Sequence, residues 1–488
     1  MAKPSALIRL NDMVRKTKII ATVGPASDSK AGLNDLLATG LDAVRLNMSQ
    51  RDLVYYADII QRIREWHSEF ETVGPAIMVD LAGPKIRTLN FSSGWDLKTG
   101  EVVLLGCEGA VDPTEGIPLT GEFRFQGINP GASISADDGK ILLDVTTTIS
   151  NVLVEVKVRR GGLLLPRKGV NFINIELDVP TLTAKDAADF EFALDQEVDW
   201  VALSFVRRAS DFNALQQIMD RKGKTIPVFA KIEKPEALDD LEAIVEQFDG
   251  VMVARGDLGV EVPIERLPAI QKQIIRRANM AGKPVIIATQ LLATMQDNPY
   301  PTRAEVTDVA NAVYDGADAL LLTGETAVGK FPFETILQMD RIISEVEKDP
   351  EIDPRMAVII PSQTDSDAIS HAAGEIANLL NIKVIVTMTH SGATASSVSK
   401  YRPHATIYSM TPFLPVARRL KLTWGVRPIV VQPYTTTDEM LAFAEEKLLA
   451  MGAIQTGDSF ILSAGIPIGK IGSTNMLKIQ SVKSVNTL

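Results

Sequence analysis

The feature of this sequence that most restricts its fold is a short apolar run that recurs eight times. Each run ends in polar or glycine residues, and most are followed by a helix-like segment, a pattern typical of buried parallel strands. The runs occupy residues 18–24, 43–47, 76–80, 200–205, 228–232, 251–255, 285–290 and 319–324. Eight such strands alternating with helices predict a (β/α)8 barrel (TIM barrel), although a long doubly wound sheet could use the same elements.

Two further regions of the chain have a sequence pattern different from this alternation. The gap between the third and fourth runs is too long for one helix and contains strand-like runs at 101–106, 140–145 and 152–158. We therefore predict an inserted small β-barrel lid domain at 84–180, within a catalytic barrel made of 1–83 and 181–348. Beyond it, residues 349–488 alternate helices with strands at 383–389, 405–411, 460–465 and 476–482, which predicts a C-terminal three-layer α/β regulatory domain with a mainly parallel sheet.

Composition narrows the class of protein. A chain of 488 residues is expected to form two or three domains. Its net charge of −11 disfavours a general nucleic-acid surface, and the single cysteine, Cys107, allows neither an intrachain disulfide nor a cysteine zinc cluster. Since we find neither a secretory signal nor a run of about 20 apolar residues, we expect a cytoplasmic protein with no membrane partner.

Polar residues concentrate where the apolar runs end. The carboxyl ends of barrel strands form the active-site face, so these residues are expected to converge on one rim. Glu233 and Asp257 end neighbouring strands and could share a hard divalent cation, while Lys231 and Arg45 add positive charge suited to a phosphate or carboxylate substrate. The alternative is that strand-end charges only solvate the barrel mouth and pair with one another. The strand-end set is Arg45, Asn47, Ser49, Asp80, Lys85, Arg87, Ser204, Lys231, Glu233, Arg255, Asp257, Thr289, Gln290, Thr323 and Glu325.

A second candidate site lies in the C-terminal region. The segment THSGATA (389–395) leaves a predicted strand and opens a predicted helix, where free backbone N–H groups and the helix dipole favour an anion. The Gly-rich stretch GIPIGKIGSTN (465–475) could lie beside it. Turn formation alone explains both segments equally well.

The motifs in this order resemble the pyruvate kinase family over nearly the whole chain. They are RLN-x-S at 45–49, D-x-x-GPKIR at 80–87, RKGVN at 167–171, AKIEKPEA at 230–237, VMVARGDLGVE at 251–261, ATQLLATM at 288–295, PTRAEVTDVANAVYDGADALLLTGETAVG at 301–329 and SKYRP at 399–403. The resemblance implies phosphoryl transfer from phosphoenolpyruvate to ADP with Mg2+ or Mn2+, giving pyruvate and ATP, the last step of glycolysis. It also implies a homotetramer with an allosteric site for a phosphorylated effector.

The resemblance also implies roles for individual residues. Lys231 would stabilise the transferring phosphoryl group and the enolate, and Thr289 would lie near the enolate carbon that is protonated. The other implied roles are catalysis for Arg45; metal ligands for Glu233 and Asp257; substrate binding for Ser204, Arg255, Gly256, Asp257 and Thr289; nucleotide binding for Asn47, Arg87, Asp138 and Lys168; and effector binding for Thr389, Ser391 and Thr394. The lid would close over the site and exclude water.

One departure from the family pattern concerns potassium. Many family members hold this ion with groups matching Asn47, Ser49, Asp80 and the backbone of Leu81, together with a nearby glutamate. That glutamate position is Lys85 here. Because an ammonium group can occupy the place of the monovalent cation, we expect activity without potassium.

Another departure concerns the nucleotide. Gln50 and Arg51 replace the usual His-Gly, and Ala82 and Val328 stand where polar residues are common. These changes make altered nucleotide binding an expectation. Two alternatives to a pyruvate kinase stay open, the first because of these changes and the second because related barrels share an acidic metal site. One is a catalytically weakened regulatory paralogue, and the other is a metal-dependent aldolase or lyase acting on pyruvate enolates, which would need neither the lid nor RKGVN.

Overall fold

A closed barrel of eight parallel strands forms the centre of the molecule. The computed structural model describes residues 15–70, 73–91, 94–121, 123–173, 175, 179–349, 362, 364–469 and 474–482. Strand β1 pairs with the last barrel strand in the register Lys18 to Ala319, which closes the ring. The strands are β1 (Lys18–Thr22), β2 (Ala43–Asn47), β3 (Ala76–Asp80), β13 (Trp200–Val206), β14 (Val228–Ile232), β15 (Gly250–Ala254), β16 (Val285–Ala288) and β17 (Ala319–Leu322), with β4 to β12 in the insertion. The predicted barrel is confirmed, and the doubly wound alternative is wrong.

Helices surround the barrel and follow its strands. The starts of α3 and α9 are set by side chains that accept hydrogen bonds from first-turn amides: Thr183 and Thr302 each form a reciprocal capping box, with Asp186 and Glu305 respectively. The helices are α1 (Lys30–Ala38), α2 (Leu53–Phe70), α3 (Ala184–Asp195), α4 (Phe212–Lys222), α5 (Glu236–Asp239), α6 (Leu241–Gln247), α7 (Arg255–Glu261), α8 (Leu267–Ala281), α9 (Arg303–Tyr314), α10 (Gly324–Ala327) and α11 (Pro332–Val346).

The insertion between β3 and α3, the predicted lid, is an all-β domain with its own core. A seven-stranded sheet runs in the order β12-β8-β9-β10-β6-β7-β4, and a β-bridge between Arg87 and Gly169 brings its two ends together, as a small barrel requires. Phe123, Phe125 and Phe172 pack against one another inside it. The strands are β4 (Arg87–Thr88), β5 (Trp95–Leu97), β6 (Val102–Cys107), β7 (Gly116–Thr120), β8 (Ser133–Ala136), β9 (Ile141–Ser150), β10 (Leu153–Arg160), β11 (Gly162–Leu164) and β12 (Val170–Ile173).

The C-terminal region is a five-stranded sheet between helices. Its order is β20-β19-β18-β21-β22, parallel except for the last pair. One face packs on α15 and the other on α12 and α13, so the three-layer prediction is confirmed. The elements are α12 (Asp365–Leu379), β18 (Val384–Met388), α13 (Ala393–Lys400), β19 (Thr406–Thr411), α14 (Leu414–Arg419), β20 (Val426–Val430), α15 (Thr437–Ala450), β21 (Ser459–Gly465) and β22 (Thr474–Ser481).

This C-terminal region docks on the amino end of the barrel, opposite the strand ends that carry the candidate site. Leu422 is buried among barrel-interior residues that include Trp200 and Phe229. Around it, Arg418 pairs with Asp199 at 2.9 Å, and Trp200 donates through Nε1 to a backbone carbonyl of α14 at 3.1 Å. The carboxyl ends of the strands are thereby left to the lid.

Some expectations concern residues outside the described ranges. The predicted domain limit at residue 349 adjoins residues 350–361, and part of the Gly-rich stretch 465–475 lies at residues 470–473. The domain limit and the placement of residues 470–473 stay predictions. Among the described residues, no helix is long and apolar enough to cross a membrane.

Candidate active site

The candidate site lies at the carboxyl ends of six neighbouring strands. Arg45 and Asn47 belong to β2, Asp80 ends β3, Ser204 lies near the end of β13 and Lys231 near the end of β14. Because these strands are parallel and adjacent in the barrel, their last residues face one rim. Asp257 follows β15 on the first turn of α7, and Thr289 follows β16. The structure thus places these predicted residues on one rim of the barrel.

Lys231 is the centre of this cluster. Its Nζ donates to Ser204 Oγ at 2.7 Å and lies 3.1 Å from both Asp80 Oδ1 and Glu233 Oε1. The side chain is 11% exposed. Burial alone would lower the pKa of Lys231, but the two carboxylates outweigh burial and hold the pKa above its usual value. Lys231 is therefore a fixed positive charge inside the barrel mouth.

Arg45 supplies a second fixed cation. Its Nε lies 2.6 Å from Asp80 Oδ2, and its guanidinium also donates to Thr22 Oγ1 at 3.2 Å. Burial would raise the pKa of Asp80, but Arg45 and Lys231 hold it below its usual range. Asp80 is ionised and orients both cations, one on each carboxylate oxygen.

Glu233 and Asp257 form a pair of carboxylates beside Lys231. Glu233 accepts a hydrogen bond from the backbone N–H of Phe205 at 2.8 Å and is almost fully buried. Burial raises its pKa, and the negative charge of Asp257 adds to this effect against the opposing influence of Lys231. Two carboxylates that repel each other in this way fit a hard divalent cation such as Mg2+. In the described part of the chain no group of three or more acidic, histidine or cysteine side chains could hold a metal, so substrate and water oxygens would complete the coordination.

Lys85 lies against this acidic pair. Its Nζ is 2.6 Å from Asp257 Oδ1, and both side chains are about one quarter exposed. Asn47, in contrast, accepts hydrogen bonds from the backbone and hydroxyl of Ser49. The residues of the predicted monovalent-cation region therefore have different partners. The ammonium of Lys85 is paired with Asp257, a candidate metal ligand, while Asp80 is held by Arg45 and Lys231.

The loop after β16 is held in an unusual backbone conformation. Thr289 has φ of 70° and Gln290 has φ of 53°, which is rare for a β-branched residue such as threonine. Thr289 Oγ1 accepts from the backbone N–H of Gly256 at 2.8 Å. The guanidinium of Arg255 donates to the Thr289 carbonyl at 2.7 Å and pairs with Asp308 at 2.8 Å. The arginine side chain thus stabilises the loop, which keeps the threonine hydroxyl at the start of α7.

The lid presents its own basic residues. Arg87 donates to the carbonyl of Arg167 at 3.2 Å, and Lys168 pairs with Asp137 at 2.8 Å. Asp138, predicted to face the nucleotide, is exposed, whereas its neighbour Asp137 is buried and holds the lysine.

At the rim of the barrel, the departures from the family pattern are accessible. Val328 is 62% exposed, and Gln50 is exposed with its amide on Ser49 Oγ at 3.0 Å.

In the C-terminal region, the candidate effector residues surround the start of α13. Thr389 Oγ1 accepts from the N–H of Gly392 at 2.9 Å, and Ser391 Oγ accepts from the next amide at 3.4 Å. Thr394 shares a hydrogen bond of 2.8 Å with Thr474, from the strand after the Gly-rich stretch. The two predicted segments are therefore neighbours in the fold.

Three acidic residues of the site were not assigned roles from the sequence. Asp137 holds Lys168, Asp308 holds Arg255, and Glu261 accepts hydrogen bonds from the lid and the barrel. Asp308 and Glu261 lie inside the family motifs at 301–329 and 251–261, and those motifs could have identified them as candidates. Asp137 had no such signal.

Comparisons with known proteins agree with this geometry. The family model described as pyruvate kinase, barrel domain, matches residues 14–336, and the model described as pyruvate kinase, alpha/beta domain, matches residues 367–480. "Pyruvate kinase 2" of Synechocystis sp. is 42% identical over 486 residues, 98% of this chain and 81% of that protein. The "Pyruvate kinase" of Clostridium acetobutylicum is 39% identical over 475 residues, 96% of this chain and 100% of that protein, and that of Staphylococcus aureus is 40% identical over 476 residues, 96% and 81%. The chain therefore belongs to the pyruvate kinase family.

Proposed function

We propose that this chain transfers a phosphoryl group from phosphoenolpyruvate to ADP, giving pyruvate and ATP. The observation that carries the proposal is the buried cluster around Lys231, whose ammonium lies within 3.1 Å of two carboxylates and beside Ser204. Fixed cations in a site shielded from water stabilise charge that spreads over phosphoryl oxygens in the transition state. Family membership supports the same reaction.

Glu233 and Asp257 would hold Mg2+ or Mn2+. Their carboxylate oxygens are the ligands that such ions prefer. Burial raises the pKa of Glu233, and the nearby charge of Asp257 adds to this effect. When bound, the ion neutralises charge on the phosphoryl and enolate oxygens. Phe205 orients Glu233 through its backbone N–H.

Lys231 and Arg45 would bind the substrate phosphoryl group. Both are held in place by Asp80, which bonds one cation on each oxygen. Because the pKa of Lys231 lies above its usual value, its ammonium remains charged throughout the reaction and stabilises the released enolate as well as the phosphoryl group. Ser204 fixes the position of the ammonium.

The second half of the reaction protonates the enolate. Thr289 supports this step, since its hydroxyl lies at the start of α7 beside the N–H of Gly256. We assign Thr289, directly or through a water molecule, to deliver the proton to the enolate carbon. The backbone at Arg255 and Gly256 would hold the substrate carboxylate, leaving the Arg255 side chain to stabilise the loop.

The lid would orient ADP. Arg87 begins lid strand β4, Lys168 lies shortly before β12, and Asp137 fixes Lys168. Asp138, exposed next to it, is retained as a nucleotide contact from the lid. Closing the lid excludes water, which would otherwise take the phosphoryl group.

Potassium independence is part of the proposal. Lys85 places an ammonium group beside Asp257, so a positive charge is already present next to the acidic pair. Turnover in potassium-free buffer should be close to that in a buffer containing the ion. Negligible turnover without potassium, restored when the ion is added, would contradict this part of the proposal.

The test of the main proposal is ATP formation by purified protein with phosphoenolpyruvate, ADP and Mg2+. Phosphoenolpyruvate binding without ATP would indicate a regulatory paralogue, which the apolar and amide substitutions at Val328, Ala82 and Gln50 would then explain. Pyruvate proton exchange or aldol products without ATP would indicate a lyase.

We also propose a cytoplasmic homotetramer with an effector site. The hydroxyls of Thr389, Ser391 and Thr394 surround the start of α13, where a phosphate group would meet backbone N–H groups.

Strand β22 lies at a sheet edge, and near it Leu379 is 83% exposed and Ile479 is 44% exposed. Such apolar exposure at an edge strand favours association, and light scattering of the purified protein would measure the assembly.

A further inference from the structure

Glu261 is a buried carboxylate at the boundary between lid and barrel. It ends α7, and only 2% of the residue is exposed. Its Oε1 accepts a hydrogen bond of 2.8 Å from the side-chain amide of Asn171 and lies 2.6 Å from the ammonium of Lys234. Asn171 belongs to lid strand β12, and Lys234 belongs to the barrel. One carboxylate oxygen therefore joins the two domains.

The position of Glu261 connects it to both candidate metal ligands. Lys234 directly follows Glu233 in the chain, and Asp257 precedes Glu261 by four residues on the same short helix. Residues four apart lie one above the other on a helix, about 6 Å along its axis. A movement of Glu261 would thus be passed to Asp257 through α7 and to Glu233 through Lys234.

The chain passes between barrel and lid at two points, and different contacts stabilise each of them. At the entry, Gly83 has φ of 69° and donates to Asp186 at 3.1 Å. At the exit, Arg207 donates to the carbonyl of Val179 at 2.6 Å. These contacts fix the ends of the hinge. The inserted segment also reaches α7 through the Lys85 ammonium on Asp257 at 2.6 Å and through the Asn171 amide on Glu261, and the second of these contacts holds β12 itself.

We propose that Glu261 is a positioning residue that sets the closed orientation of the lid and transmits it to Glu233 and Asp257. This inference rests on the proposed phosphoryl-transfer function. Phosphoenolpyruvate would contact barrel residues such as Lys231, whereas ADP depends on the lid residues Arg87 and Lys168. Loosening the tie should therefore disturb the nucleotide and the chemical step more than the binding of phosphoenolpyruvate.

The experiment compares Asn171→Ala and Glu261→Gln with a control, Asn129→Ala, an exposed position of the lid. Steady-state kinetics give kcat and KM for each substrate, and hydrogen–deuterium exchange follows β12 and α7. We expect Asn171→Ala to lower kcat about tenfold and to raise KM for ADP several-fold, with KM for phosphoenolpyruvate within about twofold, because small misplacements of reacting groups are costly. Exchange should increase in both β12 and α7, and the double variant should be no worse than Glu261→Gln alone.

The results separate the possible roles of the tie. If Asn171→Ala keeps wild-type kinetics, or if exchange increases in β12 but not in α7, Glu261 does not transmit the lid position and the inference is wrong. A fall in thermal midpoint with equal changes in both KM values would show a structural role only, which also overturns it. If the wild type forms no ATP, the proposed function fails, while the exchange comparison of β12 and α7 still decides whether the tie exists.

Discussion

Replacing Lys231 with methionine removes the positive charge at the centre of the candidate site. Methionine keeps most of the side-chain volume but loses the ammonium that contacts Ser204, Asp80 and Glu233. Loss of a single donor aimed at developing charge costs about 10²- to 10³-fold in kcat. Since Lys231 carries a full charge in a buried site, we expect a fall of at least about 10³-fold, or about 4 kcal/mol of transition-state stabilisation.

The same substitution has a calculable effect on stability. Breaking a buried ion pair costs about 3 to 5 kcal/mol, because the remaining charge is left without its partner. Here Asp80 retains Arg45 and Glu233 retains the N–H of Phe205, so the cost should lie near the lower limit. Urea unfolding measures this cost and shows whether the variant is folded.

The assay is ATP formation by the folded variant at saturating substrates. Lys224→Met is the matched control, because Lys224 is a partly exposed barrel lysine that pairs with Glu197 at 3.6 Å, away from the site. The control should keep wild-type turnover. Turnover near the wild-type value in folded Lys231→Met would refute the assignment of Lys231.

Three further predictions concern other parts of the molecule. Lys85→Glu should lose about 10²-fold in turnover without potassium, because a carboxylate then faces Asp257. Adding potassium should restore part of the lost turnover, and no response to the ion would contradict this prediction. Gly83→Ala should destabilise the protein by at least about 2 kcal/mol in urea unfolding, since a Cβ would lie 2.6 Å from the Phe205 ring at φ of 69°; unchanged stability would be inconsistent with the packed hinge. Burial lowers the pKa of Lys18 from 10.5 in the unfolded chain to about 8 in the folded protein. At pH values between these two the unfolded chain binds more protons than the folded protein, so the free energy of unfolding rises with pH. Lys18→Met should remove that gain of about 3 kcal/mol, measured by unfolding at about pH 7 and pH 10, and equal pH slopes in both proteins would count against it.

The fold followed from the sequence where every strand position is buried. Each barrel strand is a mainly apolar run, so its existence and type could be predicted, and eight such runs favoured a closed barrel over a doubly wound sheet. Some predicted ends were too long: the run 285–290 ends as a strand at Ala288, because Thr289 and Gln290 adopt positive φ. Strand β20 was missed, since Arg427 and Pro428 interrupt its apolar pattern at a sheet edge, where proline is tolerated.

The candidate site was predictable as a set of residues but not as a set of contacts. The barrel places strand ends on one rim whatever their identity, so Arg45, Asp80 and Lys231 could be grouped from position alone. Which partner each charge takes depends on side-chain reach between elements far apart in the chain. The pairing of Lys85 with Asp257, 172 residues away, is of this kind, and no local pattern encodes it.

The central claim is direct transfer of the phosphoryl group within this barrel mouth. A single-turnover reaction with phosphoenolpyruvate labelled with 32P, excess enzyme, ADP and Mg2+ measures it without a coupling system. We predict that the label passes into ATP with an equal yield of pyruvate, and that Glu233→Gln, which keeps the shape but removes a charge proposed to bind the metal, slows the transfer by at least about 10²-fold. Label that remains in phosphoenolpyruvate or appears as inorganic phosphate in the wild-type reaction would contradict the claim.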